Sequence, residues 1–121
     1  NKVKTKMDKA EWHFKLASNF LYDDNPRSAL TEAFACIELN PNHAPAHHLI
    51  GFIFFGRKDL PRALMHLQLA VRIDPAFDEA VANLGNLYLE MGDWAGAIPY
   101  FESLLAKPLY GTPWLAYNNV G

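Results

Sequence analysis

The chain has 121 residues, of which half are hydrophobic and a fifth are charged, and this composition excludes an intrinsically disordered polar chain. Eleven Lys and Arg residues against thirteen Asp and Glu residues give a formal net charge of −2, which argues against a broad nucleic-acid-binding surface. A single cysteine excludes an internal disulfide and a cysteine-rich zinc cluster. We therefore expect one domain, 1–121, with a single core.

Apolar residues recur along the chain at the three- and four-residue spacing of amphipathic helices. The starts of several helices are marked by a capping residue, such as Asn25 before Pro26, Asp59 and Asp93. No alternating pattern typical of a strand is present, so the sequence predicts an all-α fold. The expected helices are at about 8–22, 26–39, 44–57, 60–73, 77–91 and 94–106, with a truncated seventh helix from about 113.

A period of 34 residues relates successive parts of the chain, which is the signature of a repeat architecture. The residues that recur are Gly51 and Gly85, Pro41 and Pro75, Ala29, Ala63 and Ala97, and Phe20, Phe54 and Tyr88. The period predicts helix-turn-helix repeats at about 10–43, 44–77 and 78–111, and a partial fourth repeat at 112–121. Gly51 and Gly85 would let a helix approach its neighbour closely, with Ala63 and Ala97 on the facing helix.

Residues at these positions resemble the tetratricopeptide repeat (TPR) over about residues 10–108. The resemblance is carried by Leu84-Gly85, Tyr88, Gly92-Asp93, Ala97 and Phe101, and one unit earlier by Gly51, Ala63, Ala70 and Pro75. It implies an α-α superhelix, a TPR solenoid of about three repeats, with a concave groove lined by the first helix of each pair. It also implies binding of a protein and no catalysis.

The first helix of each repeat supplies the residues expected to face this groove. The partner-binding residues predicted are Phe14, Ser18, Leu21, Tyr22, His48, Phe52, Phe55, Ala82, Asn86 and Leu89, and Pro45 and Glu79 are expected to face the same groove. The aromatic and apolar members would form an exposed patch suited to an amphipathic helix or an extended apolar segment. The alternative for any single aromatic residue is that it belongs to the core.

Chaperone-binding repeats of this family hold a C-terminal carboxylate with Lys, Asn and Arg side chains. The equivalent positions here hold Phe14, Ser18, Leu49, Glu79 and Asn83. Two cations are missing, and the carboxylate of Glu79 would repel the ligand. The sequence therefore predicts that the groove does not bind a chaperone tail.

The segment from Ala82 to Gly121 resembles the pilotin lipoproteins of type IV pili, the PilF, PilW and Tgl group. The resemblance is carried by Ala82–Tyr88, by the Pro108-Leu109-Tyr110 turn with a two-residue insertion, and by Ala116–Gly121. It implies a secretin subunit as partner, promotion of secretin assembly in the outer membrane, and a lipoprotein at the periplasmic face of that membrane. Membrane contact would come only through a lipid anchor that is not in this chain, and a cytoplasmic location stays open.

Two other functions stay open at this point. One is a generic bacterial TPR adaptor that binds an apolar peptide or helix of another complex. The other is an enzyme, or its substrate-binding arm, with a second domain beyond Gly121. No catalytic residue, cofactor or metal site is predicted in the chain itself.

Several further features receive structural interpretations. His43 and His47, four residues apart, are interpreted as solvent-exposed and not as metal ligands, whereas His48 is expected to make a polar contact in the groove. Cys36 is expected to be a packed, inert thiol. A lysine cluster at 2–9 is interpreted as a solvated tail. The C-terminal end, without a polar cap at 115–120, is expected to fray or dimerise.

Overall fold

The computed structural model of the protein describes residues 1–107. These residues form six α-helices and no strand: α1 (Lys2–Tyr22), α2 (Pro26–Leu39), α3 (Ala44–Gly56), α4 (Leu60–Ile73), α5 (Asp78–Glu90) and α6 (Trp94–Leu105). The predicted all-α fold is confirmed. None of these six helices has both the length and the apolar character needed to cross a membrane. The expectations for the seventh helix, the partial fourth repeat and the C-terminal end fall on residues 108–121, outside the described residues.

The first helix begins earlier than the sequence pattern predicts. The lysine-rich segment 2–9 was predicted to be a tail, but it is the first two turns of α1. The Asn1 side chain caps this helix by accepting a hydrogen bond from the backbone nitrogen of Lys4, at 2.9 Å. Residues 2–9 are exposed, so no apolar stripe reveals the helix, and lysine has a high helix propensity. The bounds of α2 and α4 match the prediction, those of α3 and α6 differ by one residue at the C-terminal end, and those of α5 differ by one residue at each end.

One turn joins the two helices of each pair, and the three turns are similar. Each turn contains a residue in the left-handed region: Asp24, Lys58 and Gly92, with φ values of 58°, 63° and 79°. These positions are 34 residues apart. In each turn the next backbone N–H reaches back five residues, as from Asn25 to the Phe20 carbonyl at 2.8 Å. This is the Schellman arrangement, which satisfies carbonyls at the end of a helix.

The residues after these turns cap the second helix of each pair. Asn25, Asp59 and Asp93 accept hydrogen bonds from the backbone nitrogens three residues on, at 3.3, 3.4 and 2.8 Å. Successive pairs are joined by a second type of turn, in which Asn40 and Asp74 occupy equivalent places. The 34-residue period in sequence is therefore a period in backbone hydrogen bonding.

The core lies between the paired helices and continues from one pair to the next. α1 packs on α2, α3 on α4 and α5 on α6, while α2–α3 and α4–α5 contacts join the pairs. The most deeply buried large side chains are Ile50, Leu67, Leu84, Leu87 and Cys36. Burial of these side chains removes apolar surface from water and stabilises the stack.

The two glycines that recur at the 34-residue period, Gly51 and Gly85, mark close approaches between paired helices. A Cβ atom built on Gly51 would lie 2.7 Å from Cγ of Leu67, and one on Gly85 would lie 2.8 Å from Cζ of Phe101. The nearest atoms belong to Leu67 and Phe101, and Ala63 and Ala97 lie buried on the same facing helices, α4 and α6, as expected from the sequence. A larger residue at either glycine would push the helices apart or displace a buried side chain.

Candidate functional site: a groove along the first helices of the repeats

The first helices of the three pairs, α1, α3 and α5, line a groove of about 670 Å³, which we call the central groove. Each helix contributes a short run of side chains, and the amino-terminal end of α5 adds Phe77. The lining residues are Phe14, Ser18, Leu21, Pro45, His48, Leu49, Phe52, Phe77, Glu79, Ala82 and Asn83. A concave site with apolar walls and a few polar groups is the usual form of a ligand site.

A second groove of about 550 Å³, the side groove, adjoins the central groove. The two share Leu21, Phe52 and Asn83, so they form one continuous depression. The side groove lies towards the turns within the first two pairs, and its lining includes Asp24, Lys58 and Phe55.

The ten predicted site residues distribute unevenly over these grooves. The central groove is lined by Phe14, Ser18, Leu21, His48, Phe52 and Ala82, and the side groove adds Phe55 and Asn86. Tyr22 and Leu89 line neither groove. The Tyr22 side chain is 92% exposed, because it is the last residue of α1 and extends into solvent.

The predicted aromatic patch is only partly exposed. Phe52 is 49% exposed and lies where the two grooves meet. Phe14 and Phe55 were expected to lie off the core, but both are half-buried and pack against it, as does Leu21. These three side chains therefore form the floor and walls of the groove, and Phe52 is the large apolar group that projects into it.

His48 is the polar centre of the groove. Asn83 Nδ2 donates a hydrogen bond to His48 Nε2 at 2.8 Å, which links α3 to α5 and requires an unprotonated Nε2. The imidazole lies edge-on to Phe77, with ring centroids 4.9 Å apart, and at 6.3 Å from Phe52. Burial lowers the pKa of His48, and the nearby Glu79 carboxylate offsets part of that effect. The expected polar contact of His48 thus exists within the protein.

The charges of the two grooves differ. Among the described residues that line the central groove, Glu79 is the one with a permanent charge, and it is exposed. The side groove has charged residues of both signs in its lining: Asp24 is negative, and Arg57 and Lys58 are positive. Lys58 is already paired with Glu90 at 2.9 Å. The central groove is therefore apolar with one carboxylate at its edge.

Sequence reasoning did not place Leu49, Phe77 and Asn83 among the residues that face the central groove, and of these Phe77 had not been considered at all. Its contact with His48 repeats, one unit later, the contact of His43 with Phe14, whose ring centroids are 4.8 Å apart. Positions 14 and 48, and positions 43 and 77, are each 34 residues apart. The 34-residue period, extended to the residues that precede the first helices, thus suffices to predict that Phe77 lies beside His48.

The other histidines have structural roles. His43 and His47 were predicted to be exposed, but they are 8% and 5% exposed. His43 caps α3 through Nδ1, which accepts from the Ala46 nitrogen at 3.1 Å, and its Nε2 lies 2.9 Å from Glu11. His47 pairs with His66 at 3.1 Å. Among residues 1–107, no three His, Cys, Asp or Glu side chains are grouped to hold a metal ion.

Cys36 lies in a small second cluster with Ala10 and Ala46 and has no exposed surface. Burial raises the pKa of its thiol to about 11, with a smaller contribution from Glu11. Because the thiolate is the nucleophilic form, this thiol is unreactive at neutral pH, as expected for a packed cysteine.

Comparison with known proteins finds similarity to tetratricopeptide repeats. A tetratricopeptide repeat family model matches residues 54–108. A crystal structure of MamA has a TM-score of 0.74 and 25% identity, covering 83% of this chain and 55% of that chain. The second TPR of Spaghetti (RPAP3), bound to the HSP90 peptide SRMEEVD, has a TM-score of 0.80 and 16% identity, covering 86% and 95%. The N-terminal domain of stress-induced protein-1 from C. elegans has a TM-score of 0.75 and 18% identity, covering 93% of each chain. No curated protein is detectably similar in sequence.

The structural similarities show an all-α helical-repeat fold, and part of the chain matches a tetratricopeptide repeat model. The chain spans between half and two thirds of the MamA chains it matches. These similarities do not single out the pilotin group.

Proposed function

We propose that the protein is a non-catalytic interaction scaffold whose central groove binds an apolar or amphipathic segment of a partner protein. The observation that carries this proposal is the position of Phe52, half exposed where the two grooves meet. A large aromatic side chain at the centre of a concave surface is the usual anchor of a protein interface.

The dimensions of the two grooves support a segment and not a single small ligand. Together they extend along α1, α3 and α5, and their volumes are about 670 and 550 Å³. Burying Phe52 and the exposed edges of Phe14 and Leu21 against a partner would remove apolar surface from water. The amphipathic helix and the extended strand are both segments that place apolar side chains at regular intervals along such a surface.

The charge of the central groove argues against an acidic C-terminal tail as ligand. The RPAP3 repeat domain was crystallised with the peptide SRMEEVD. In the present chain the central groove has the carboxylate of Glu79 and, among its described lining residues, no Lys or Arg. We expect SRMEEVD not to bind.

We further propose a secretin subunit as the partner, at the periplasmic face of the outer membrane, where the protein would promote secretin assembly. The sequence of Ala82–Tyr88, and that of 108–121, supports this proposal through its resemblance to the pilotins. The alternative is an adaptor that binds an apolar helix of a different complex.

Photo-crosslinking in cells tests both the binding of a partner in the groove and the identity of that partner as a secretin subunit. p-Benzoylphenylalanine would replace Phe52 in one variant and Phe34 in another, within the full-length gene product. Phe34 is a matched control, because it is an aromatic residue of similar exposure, 41%, but lies on α2, away from both grooves. Mass spectrometry would identify the crosslinked protein.

We expect crosslinks from position 52 and none of comparable yield from position 34. Equal yields from the two positions would show that the groove is not the binding site. A secretin peptide in the crosslink, together with loss of secretin multimers in Phe52→Glu and not in Phe34→Glu, would support the pilotin role. A partner of another kind would leave the scaffold proposal standing and refute the secretin.

A further inference from the structure

Within residues 1–107, the carboxylate at the edge of the central groove has no counterpart of opposite sign in the lining. Glu79 lies in the first turn of α5, one residue after Asp78. Asp78 forms an ion pair with Lys107, whereas the ion pairs of the described residues do not include Glu79. The two neighbouring acids thus differ: one is neutralised within the protein and the other faces solvent at the groove.

Both acids of the first turn, Asp78 and Glu79, are placed to stabilise α5. An acidic residue in the first turn stabilises a helix by interacting with its exposed N–H groups. Phe77, the capping position of α5, offers no side-chain hydrogen bond, so α5 benefits from such a residue. Glu79 shares this first turn with Asp78, so α5 does not depend on Glu79 alone for an acidic residue there.

The surroundings of Glu79 favour a cation beside apolar groups. Pro45, Phe77 and Ala82 line the same groove, and His48 has its Nε2 occupied by Asn83. A ligand carboxylate would meet Glu79 at short range, whereas a Lys or Arg side chain would lay its alkyl stem on Phe77 and place its charge at Glu79.

We propose that the central groove selects a segment in which a Lys or Arg lies next to large apolar residues, with Glu79 binding the cation and Phe52 contacting the apolar side chains. This inference rests on the proposed function, because it specifies the ligand of the same groove. It reverses the charge preference that a carboxylate-binding groove would have.

The experiment uses a phage-displayed library of random heptapeptides, selected in parallel on the unaltered protein, on Glu79→Lys and on Glu38→Lys. Glu38 is an exposed glutamate of α2, outside both grooves, and controls for the change in net charge. Binders are counted as groove-dependent when Phe52→Ala abolishes binding. A synthetic peptide from the best family is then titrated with its cation replaced by Gln and by Glu, with SRMEEVD as an acidic reference.

We expect Lys or Arg beside apolar residues among groove-dependent binders of the protein and of Glu38→Lys, and Asp or Glu at that place on Glu79→Lys. Replacing the peptide cation by Gln, or Glu79 by Gln, should weaken binding about two- to fivefold, and high salt should reduce this difference. Groove-dependent binders with no charge preference, or with acidic residues, would overturn this inference and leave the scaffold proposal intact. An absence of groove-dependent binders would overturn both.

Discussion

The buried pair formed by His47 and His66 makes the stability of the protein depend on pH. His47 Nε2 lies 2.8 Å from the Pro41 carbonyl oxygen and must donate a proton to it. The Nδ1 atoms of His47 and His66 lie 3.1 Å apart, so one of them donates a hydrogen bond and the other accepts it. The two rings cannot both be protonated while this hydrogen bond exists, and both are 5% exposed.

The pKa of His66 is lowered to about 4, mainly by burial and to a smaller extent by the neighbouring His47. In the unfolded chain a histidine has a pKa of about 6.5. Between these values the unfolded state takes up a proton that the native state does not, so stability is complete above pH 6.5 and falls as the pH drops towards 4. The linkage relation gives a loss of about 2 kcal/mol at pH 5 and about 3 kcal/mol at pH 4.

The variant His66→Asn isolates this contribution. The amide nitrogen of asparagine takes the place of the imidazole Nδ1, so it keeps a donor for His47 but does not titrate. At pH 7 the variant should be less stable by about 1–2 kcal/mol, because the ring contacts with Phe34 and Phe54 are lost. The guanidinium of Arg62, which lies 5.7 Å from the centroid of the Phe54 ring, is present in both proteins.

Urea denaturation at a series of pH values from 7.5 to 4.5 measures the effect. From pH 7 to pH 5 the difference in free energy of unfolding between the two proteins should change by about 2 kcal/mol in favour of His66→Asn, so that at pH 5 the variant is at least as stable as the unaltered protein. Parallel pH dependences of the two proteins would refute the assignment of the acid loss to this histidine pair.

Three further predictions concern local structure. Gly51→Ala should lower the free energy of unfolding by about 1–2 kcal/mol, because its Cβ would meet Leu67. The control Gly56→Ala, whose Cβ would have no atom within 4 Å, should be neutral or stabilising. Equal effects of the two substitutions in thermal denaturation would contradict the close approach at Gly51. Asp24→Gly should raise the melting temperature, corresponding to about 1 kcal/mol, since it relieves a left-handed conformation, and a lower melting temperature would count against that reasoning. Cys36 should react with a thiol reagent at pH 8 only as fast as the protein opens, and rapid labelling of the folded protein would show that it is accessible.

The repeat period predicts most of the fold, because proline and capping residues repeat along with the apolar positions. The bounds of α2 and α4 follow directly from Pro26 and Asp59. The early turns of α1 could not be predicted from periodicity, since an exposed lysine-rich helix has no buried face. Pro99 lies inside α6 without ending it, which local propensity alone would not predict.

The groove was harder to predict than the helices. A position on the first helix of a repeat determines that a side chain faces the groove side, but not how deeply it packs. Phe14 and Phe55 share the groove with Phe52, yet neighbouring helices cover much of their surface. The burial of His43 and His47 likewise depends on partners distant in the chain, Glu11 and His66, which single-helix reasoning does not include.

The equivalence of the two inter-pair turns has a consequence for engineering. Asn40 and His43 are related to Asp74 and Phe77 by the same backbone hydrogen bonds, so residues 44–77 begin and end at matching junctions. A duplicate of this unit, spliced in after Phe77, would meet α5 through the existing α4–α5 interface, and its first helix would pack on the preceding α4 in the place that α5 occupies now. The central groove would then be longer by one repeat, with a second His48 and a second Phe52. It could contact a longer bound segment without redesign of any loop.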